Sequence, residues 1–303
     1  MSAVFRPSPS ETEAVLIGAL RPGERLERWQ EQVLSARETR RVVRYHLRVG
    51  GREEQLIGKY YDQQATAQKT ARVLAALASS GCQRRGNLLL PRVIAYHAPY
   101  RLLLLSDVPG QPVLPLLRGS GTTILAAAAR ALSAVHATPV MLDAVATPAA
   151  LLADMRAQAE ELARRVPAAT PLLEPLLVRL GCEAPAAPEM PRLVHGDFGP
   201  AQLLWHEDRP AILDFDKATL GDPALDLGNL LAQLRRRTLL EPAAMPAHAP
   251  LRASVLAVYP GAAELGARIR WYEEVVLLRK AHFLMQQPRA ALALLRSLGE
   301  RHS

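Results

Sequence analysis

The 303-residue chain is short of lysine, cysteine and aromatic residues. Only four lysines, Lys59, Lys69, Lys217 and Lys280, stand among its 37 basic residues, so nearly all the positive charge is arginine. Two cysteines, Cys82 and Cys182, lie far apart without metal-like spacing. That excludes a disulfide framework and a thiolate metal centre, and it fits a reducing cytoplasm. No run approaches the roughly 18–20 uninterrupted apolar residues of a membrane-spanning helix, so no membrane partner is expected. The stretch MSAVFRPSPSETEAV carries Glu11 and Glu13 and lacks an apolar core, which excludes a secretory signal and points to a cytoplasmic protein. Aromatics make up 5% of the chain, and no basic patch is interleaved with rings. Nucleic acid is therefore not an expected partner, despite a net charge of +8.

What is present points to a folded enzyme-sized chain. Hydrophobic residues reach 49% and charged ones 22%, enough for a substantial core and too apolar for disorder. The basic excess is uneven: residues 1–111 hold 17 basic and 10 acidic side chains, whereas 112–303 hold 20 and 19. An anionic partner for the first third is one reading, and solvated surface arginine is the other.

Periodicity changes near residue 110. Val43, Tyr45, Leu47 and Val49 alternate with Arg44, His46 and Arg48, as in a half-buried strand. Gly50-Gly51 then reads as a hairpin turn and REEQLIGKYY as the return strand. Further strands are predicted within Leu26–Leu34 and in PRVIAYH and YRLLLLS, with a helix over Gln63–Ser80 stopped by Gly81. Beyond Pro109-Gly110 the pattern is helical: Thr122–His136, Pro148–Arg165, Thr170–Leu180, Ala224–Arg237, Ala262–Met285 and Arg289–Arg301. Residues 183–191 read as a connector, and the stretch Pro242–Pro250 as a break. Strands first and helices second define an α+β chain in two lobes, whose cleft is the default ligand site.

Chemistry concentrates between Arg192 and Leu231. A short apolar run ends at His195-Gly196-Asp197, and a second, Ala211-Ile212-Leu213, delivers Asp214. A tight hairpin between them would set the two carboxylates side by side, with the Gln202 amide nearby. Such a set suits a divalent cation and a general base.

The string HGDF…Q…ILDFD…GDPALDLG resembles the aminoglycoside phosphotransferase family of small-molecule kinases, in the protein-kinase-like superfamily. Lys59 in LIGKYY, LLSDVPG at Leu104–Gly110 and HATP from His136 follow the family's order. The resemblance implies a protein-kinase-like fold: an antiparallel sheet N-lobe (1–107), a hinge (108–111) and a mainly helical C-lobe (112–303). It implies ATP or GTP and Mg²⁺ as cofactors, and transfer of the γ-phosphate to a hydroxyl of a small molecule (an aminoglycoside, sugar or amino alcohol). Asp197 would orient that hydroxyl and accept its proton. Asp214 would hold Mg²⁺, with Gln202 as second ligand. Lys59 would meet the phosphates, and the Asp107–Val108 backbone the adenine. His195, Asp222 and Asp226 would support the loops.

Three departures stand out. Gln202 replaces the usual Asn, Gln63–Ser80 carries no acid to pair with Lys59, and the phosphate-covering loop near Ser35–Arg40 has no glycine. Gln64 or Gln68 are the neutral substitutes for the missing acid. The first two departures motivate an alternative, a non-catalytic nucleotide- or ligand-binding protein of the same fold. Asp216 reads equally as a cleft or a surface charge, and His136 as a helix-end residue. Arg235–Arg237 reads as a solvated helix end or, alternatively, an acceptor-binding patch. Glu264, Glu273 and Glu274 are the acids available to a cationic acceptor.

Overall fold

The computed structural model describes residues 7–299, which divide into two compact units. The first comprises the residues up to Gly81, Leu89–Pro109 and Ala211–Asp216; the second comprises Cys82–Leu88, Gly110–Pro210 and the chain from Lys217.

In the first unit, α1 (Pro9–Gly18) precedes three long strands, β1 (Leu26–Arg37), β2 (Arg40–Val49) and β3 (Arg52–Tyr61). Next come α2 (Gln64–Ser79), and, after α3 (Cys82–Arg85) of the second unit, β4 (Val93–His97) and β5 (Leu102–Ser106). The strands form one sheet in the order β1-β2-β3-β5-β4, antiparallel throughout. Alternation buries Val43, Tyr45, Leu47 and Val49 on one face, where Leu56, Tyr60, Leu102 and Leu104 join them with Leu16 of α1. Inside this core the Tyr45 and Tyr60 hydroxyls lie 2.6 Å apart, so each buried phenol has a partner. The loop anticipated over Ser35–Arg40 shrinks to the two-residue turn Glu38-Thr39, because Arg37 pairs with Arg40 across the hairpin.

The second unit holds β6 (Gln111–Pro112), α4 (Val113–His136), α5 (Pro148–Arg165), α6 (Thr170–Cys182), β7 (Arg192–Val194) and β8 (Leu203–His206). After β9 (Arg209–Ile212) it continues with β10 (Thr219–Gly221), α7 (Pro223–Leu240), α8 (His248–Leu256), α9 (Gly266–Phe283) and α10 (Pro288–Gly299). Helix α9 is its centre, packing on α5, α7 and α10. Several boundaries differ from the sequence reading for identifiable reasons. Ser8 and Glu11 form a reciprocal capping box that starts α1, an element the sequence reading lacked. Helix α4 begins nine residues early and crosses Gly119–Gly121 with a kink at Ser120, whose φ of −124° is not helical. Helix α8 starts inside the Pro242–Pro250 break and runs on to Leu256, since Pro250 falls in its first turn, where no backbone N–H is required. The end of the predicted Arg289–Arg301 helix lies outside the described residues. Among the described residues no helix is long and apolar enough to cross a membrane.

Gly58 on β3 marks the tightest point of the sheet's core face. A Cβ there would lie 2.7 Å from Tyr45 Cε2 and 3.0 Å from Val43 Cγ2. Gly58→Ala should lower stability by about 1–3 kcal/mol through overpacking, read as a lower denaturant midpoint with an unchanged slope.

Candidate active site

In the helical unit, β7 pairs antiparallel with β10 and ends at His195-Gly196-Asp197. The bend is possible only with glycine at its centre. Gly196 has φ of +78°, and a Cβ would lie 2.3 Å from the Lys217 carbonyl oxygen. The bend is fixed by Asp226, which is fully buried on α7. Its Oδ2 accepts the His195 N–H at 2.6 Å and its Oδ1 the Gly196 N–H at 2.9 Å. His136, the last residue of α4, lies with Nε2 2.9 Å from Asp226 Oδ2 and Nδ1 2.7 Å from the Tyr259 hydroxyl. An ionised carboxylate only accepts, so the network assigns the His136 proton to Nε2. Burial alone would raise the Asp226 pKa, but the hydrogen bond and charge of His136, with the His195 amide, hold it below the usual carboxylate range.

The neighbouring groups complete this frame. Asp222 caps α7 by accepting from the Ala224 N–H at 3.0 Å, and it also pairs with Arg268. His195 is buried, its ring edge-to-face with Phe198, and its Nδ1 lies 3.4 Å from the Asp197 amide. Gln202, oriented by its hydrogen bonds, donates Nε2 to the carbonyls of Gly199 (3.2 Å) and Asp197 (3.3 Å), which turns Oε1 away from the loop backbone. Asn229 donates to the Gly196 carbonyl at 3.5 Å and accepts from Arg279 at 3.1 Å. The Asp197 carboxylate itself is met by Lys217 Nζ at 2.9 Å.

The strand-rich unit builds a second charged cluster. Lys59 on β3 is 7% exposed, and its Nζ lies 2.8 Å from Asp214 Oδ1 and 3.0 Å from Asp216 Oδ1. Arg40, the first residue after the β1–β2 turn, reaches Asp214 at 2.7 Å and also bonds Asp216. Tyr61 donates its hydroxyl to Asp216 at 2.8 Å. Burial works against the charged form of Asp214, but Lys59 and Arg40 outweigh it and hold this carboxyl far below the ordinary range. Asp214 adopts φ of +68°, a left-handed conformation that Asp tolerates better than most side chains. Helix α2 offers Lys59 no acid, and its carboxylate partners come from the segment after β9 instead. The Asp107 side chain accepts from the Val108 N–H at 3.0 Å and lies 2.9 Å from Arg44 Nε, which ties the β5 exit to β2.

Two carboxylates that share one ammonium are arranged to share a cation. This donor chemistry fits Mg²⁺, which is held by one or two carboxylates and completed by water and phosphate oxygens. Arg40, Tyr61, Lys217 and His136 were not among the site residues suggested by the sequence. Arg40 and Tyr61 carry no motif. His136 left a signal, since a histidine inside an apolar helix face requires polar partners once buried.

With fold and site in view, the comparisons are specific about family. A profile of the phosphotransferase enzyme family (APH) matches residues 31–265. The chain belongs to this family of phosphotransferases, and its fold is protein-kinase-like. The apo form of a thermostable aminoglycoside phosphotransferase APH(4)-Ia superposes with a TM-score of 0.63 at 17% identity, over 88% of this chain and 94% of that one. ADP-bound aminoglycoside phosphotransferase APH(2'')-Ib gives 0.61 at 13% identity, over 96% and 98%. Macrolide 2'-phosphotransferase MphH from Brachybacterium faecium gives 0.53 at 19%, over 97% and 100%. Among curated proteins, none matched the chain in sequence.

The Asp226 network yields a two-part prediction. His136→Leu, which leaves a buried carboxylate short of a donor, should cost about 1–3 kcal/mol of stability. Because the folded pKa of Asp226 is depressed, its contribution is complete above about pH 4 and is lost as pH falls below that value. Denaturant titrations should show the stability gap between wild type and Asp226→Asn constant from neutral pH to about pH 4, then shrinking.

Proposed function

We propose that this protein moves the γ-phosphate of ATP or GTP to a hydroxyl of a small organic molecule. The observation that carries the proposal is the catalytic bend itself: a buried carboxylate grips two consecutive amides, so that Asp197 stands at a fixed point on the loop. Phosphoryl transfer demands little covalent chemistry of the protein and much positioning, which is what such a frame supplies. In this reading Asp197 orients the acceptor hydroxyl and receives its proton. The acceptor oxygen forms a bond to the γ-phosphorus while the bond to the bridging β-oxygen breaks, and the nucleoside diphosphate leaves.

Asp214 would hold Mg²⁺, with Gln202 Oε1 as a further oxygen donor, and Asp216 belongs to the same carboxylate pair. Mg²⁺ supplies charge neutralisation at the nucleotide phosphates when bound. Lys59 and Arg40 have ammonium and guanidinium donors, respectively, suited to phosphate oxygens. The backbone at Asp107–Val108 would receive the base. His195, Asp222 and Asp226 act through loop geometry. The missing acid of α2 favoured a non-catalytic reading, but Asp216 gives Lys59 a second carboxylate that does not depend on that helix.

Thermal unfolding with ATP or GTP and Mg²⁺ should show stabilisation over nucleotide-free protein. Asp197→Asn should keep that stabilisation and lose transfer by about 10²–10⁴-fold, the usual contribution of a general base. Asp214→Ala should lose the Mg²⁺-dependent part of the stabilisation. Nucleotide binding without transfer to any hydroxyl acceptor would favour the non-catalytic reading, and absence of binding would overturn both.

A further inference from the structure

Basic side chains gather around Asp197 in the helical unit, with Asp154 as a further acid acting on Arg279. Lys217 lies 2.9 Å from the Asp197 carboxylate. Arg279 on α9 donates to Asn229 at 3.1 Å, and Asn229 in turn reaches the Gly196 carbonyl, so this guanidinium belongs to the network of the catalytic bend. Lys280 follows, with Nζ 6.0 Å from the centroid of Phe283, a ring that is 62% exposed. Arg236 sits towards the end of α7, the helix against which α9 packs.

These cations are partly withdrawn from water. Burial lowers the pKa of Lys280, and the charges of Arg279, Lys217 and Arg236 push it the same way, opposed by Asp197. Burial likewise lowers Arg279, opposed by the charges of Asp197 and Asp154, and it lowers Arg236, where Arg237 pushes the same way and Glu241 opposes. Among the described residues, no carboxylate stands within ion-pair distance of Arg236, Arg279 or Lys280. The acids that the sequence offered to a cationic acceptor do not fill the role. Glu273 is buried between Arg252 and Arg235, Glu274 pairs with Arg179, and Glu264 lies exposed in the turn before α9. Arg235, rather than being a solvated helix end, is 13% exposed and bonded to the Ser297 carbonyl.

Partly buried cations that lack an ion-pair partner are stabilised further when an anion completes the set. We propose that the acceptor is a hydroxylated organic anion, bearing phosphate or carboxylate, held by Arg236, Arg279 and Lys280 while its hydroxyl meets Asp197. Lys217 then screens the acceptor's charge from the Asp197 carboxylate. Phe283 offers an apolar face beside the cations for the carbon skeleton. This inference rests on the phosphotransferase reading and deepens it. It also separates this protein from kinases of polycationic aminoglycosides, which require an acidic acceptor site.

The test uses the full chain saturated with Mg²⁺ and AMP-PNP, so that nucleotide-binding cations are occupied. Inorganic phosphate and an aminoglycoside are then titrated by calorimetry. Phosphate should bind, and both Lys280→Gln and Arg236→Gln should weaken it at least tenfold, whereas exposed Arg118→Gln should not. The same two variants should leave the affinity for AMP-PNP unchanged, and their thermal midpoints report that folding is intact. In transfer assays, sugar phosphates should outperform the parent sugars. The proposal is overturned if phosphate does not bind, if the aminoglycoside binds more tightly than phosphate, or if the loss falls on AMP-PNP instead. Should wild type fail to bind AMP-PNP, the phosphotransferase reading falls. The phosphate titration, repeated without nucleotide and with Lys59→Ala as reference, still decides whether the cluster around Asp197 binds anions.

Discussion

Asp226 is the carboxylate on which the helical unit's chemistry hangs. It is fully buried, so it stays charged only because four groups from three parts of the chain converge on it: two loop amides, His136 from α4, and Tyr259 through His136. The cost of burying the charge is offset by that convergence, and the convergence in turn fixes the backbone at His195 and Gly196. Asp197 follows directly on this backbone, and its carboxylate is met by Lys217 Nζ at 2.9 Å. Gly196 closes the arrangement, since the Lys217 carbonyl fills the space a Cβ would need.

The strand-rich unit solves a different electrostatic problem. Its acids, Asp214 and Asp216, lie two residues apart on one segment and would repel each other if left alone. Lys59, Arg40 and the Tyr61 hydroxyl hold them together. In kinases that pair the strand lysine with a helix acid, orienting the lysine requires the helix to be in place. Here both carboxylates come from the segment that follows β9, so α2 is released from that duty. The absence of acid from Gln63–Ser80 is thus compensated within the same cluster. Asp214 carries the strain of a left-handed backbone, about 1–3 kcal/mol for a non-glycine residue in a sparsely populated region, and the convergent cations keep it there.

Much of this was legible from residue order. The alternation of Val43 to Val49, the Gly50-Gly51 turn and the long alanine-leucine helices declare a sheet followed by a helical body, which is the observed architecture. The family followed from the HGDF and LDFD strings. What stayed hidden depends on long-range placement. Arg40 is one arginine among many, and only the register of β1 and β2 brings it to Asp214 and Asp216. His136 reads as a helix terminus until α7 sets Asp226 against it. Glu273 and Glu274 look like free acids on a helix until Arg252, Arg235 and Arg179 arrive from other elements. Helix α8 was masked by a proline-rich stretch of which only Pro250 enters the helix, in its first turn, where it does no harm. Local pattern reports period and turns, whereas charge pairing across 100 residues belongs to the fold.

The turn Glu38-Thr39 bears on the thermodynamics of ligand capture. A flexible glycine-rich flap must surrender backbone freedom when it closes over a polyphosphate, roughly 1–2 kcal/mol for each residue ordered. In this chain the ladder runs to Arg37 and resumes at Arg40, so only two residues lie outside paired strand. Arg40 is held in that ladder before any ligand arrives. On the proposed reading, in which a polyphosphate meets this hairpin, the entropy of ordering has already been met by folding, and association would be governed by exchange of ionic partners rather than by loop closure. Such a site would act as a rigid clamp, with affinity that follows ionic strength more closely than chain flexibility.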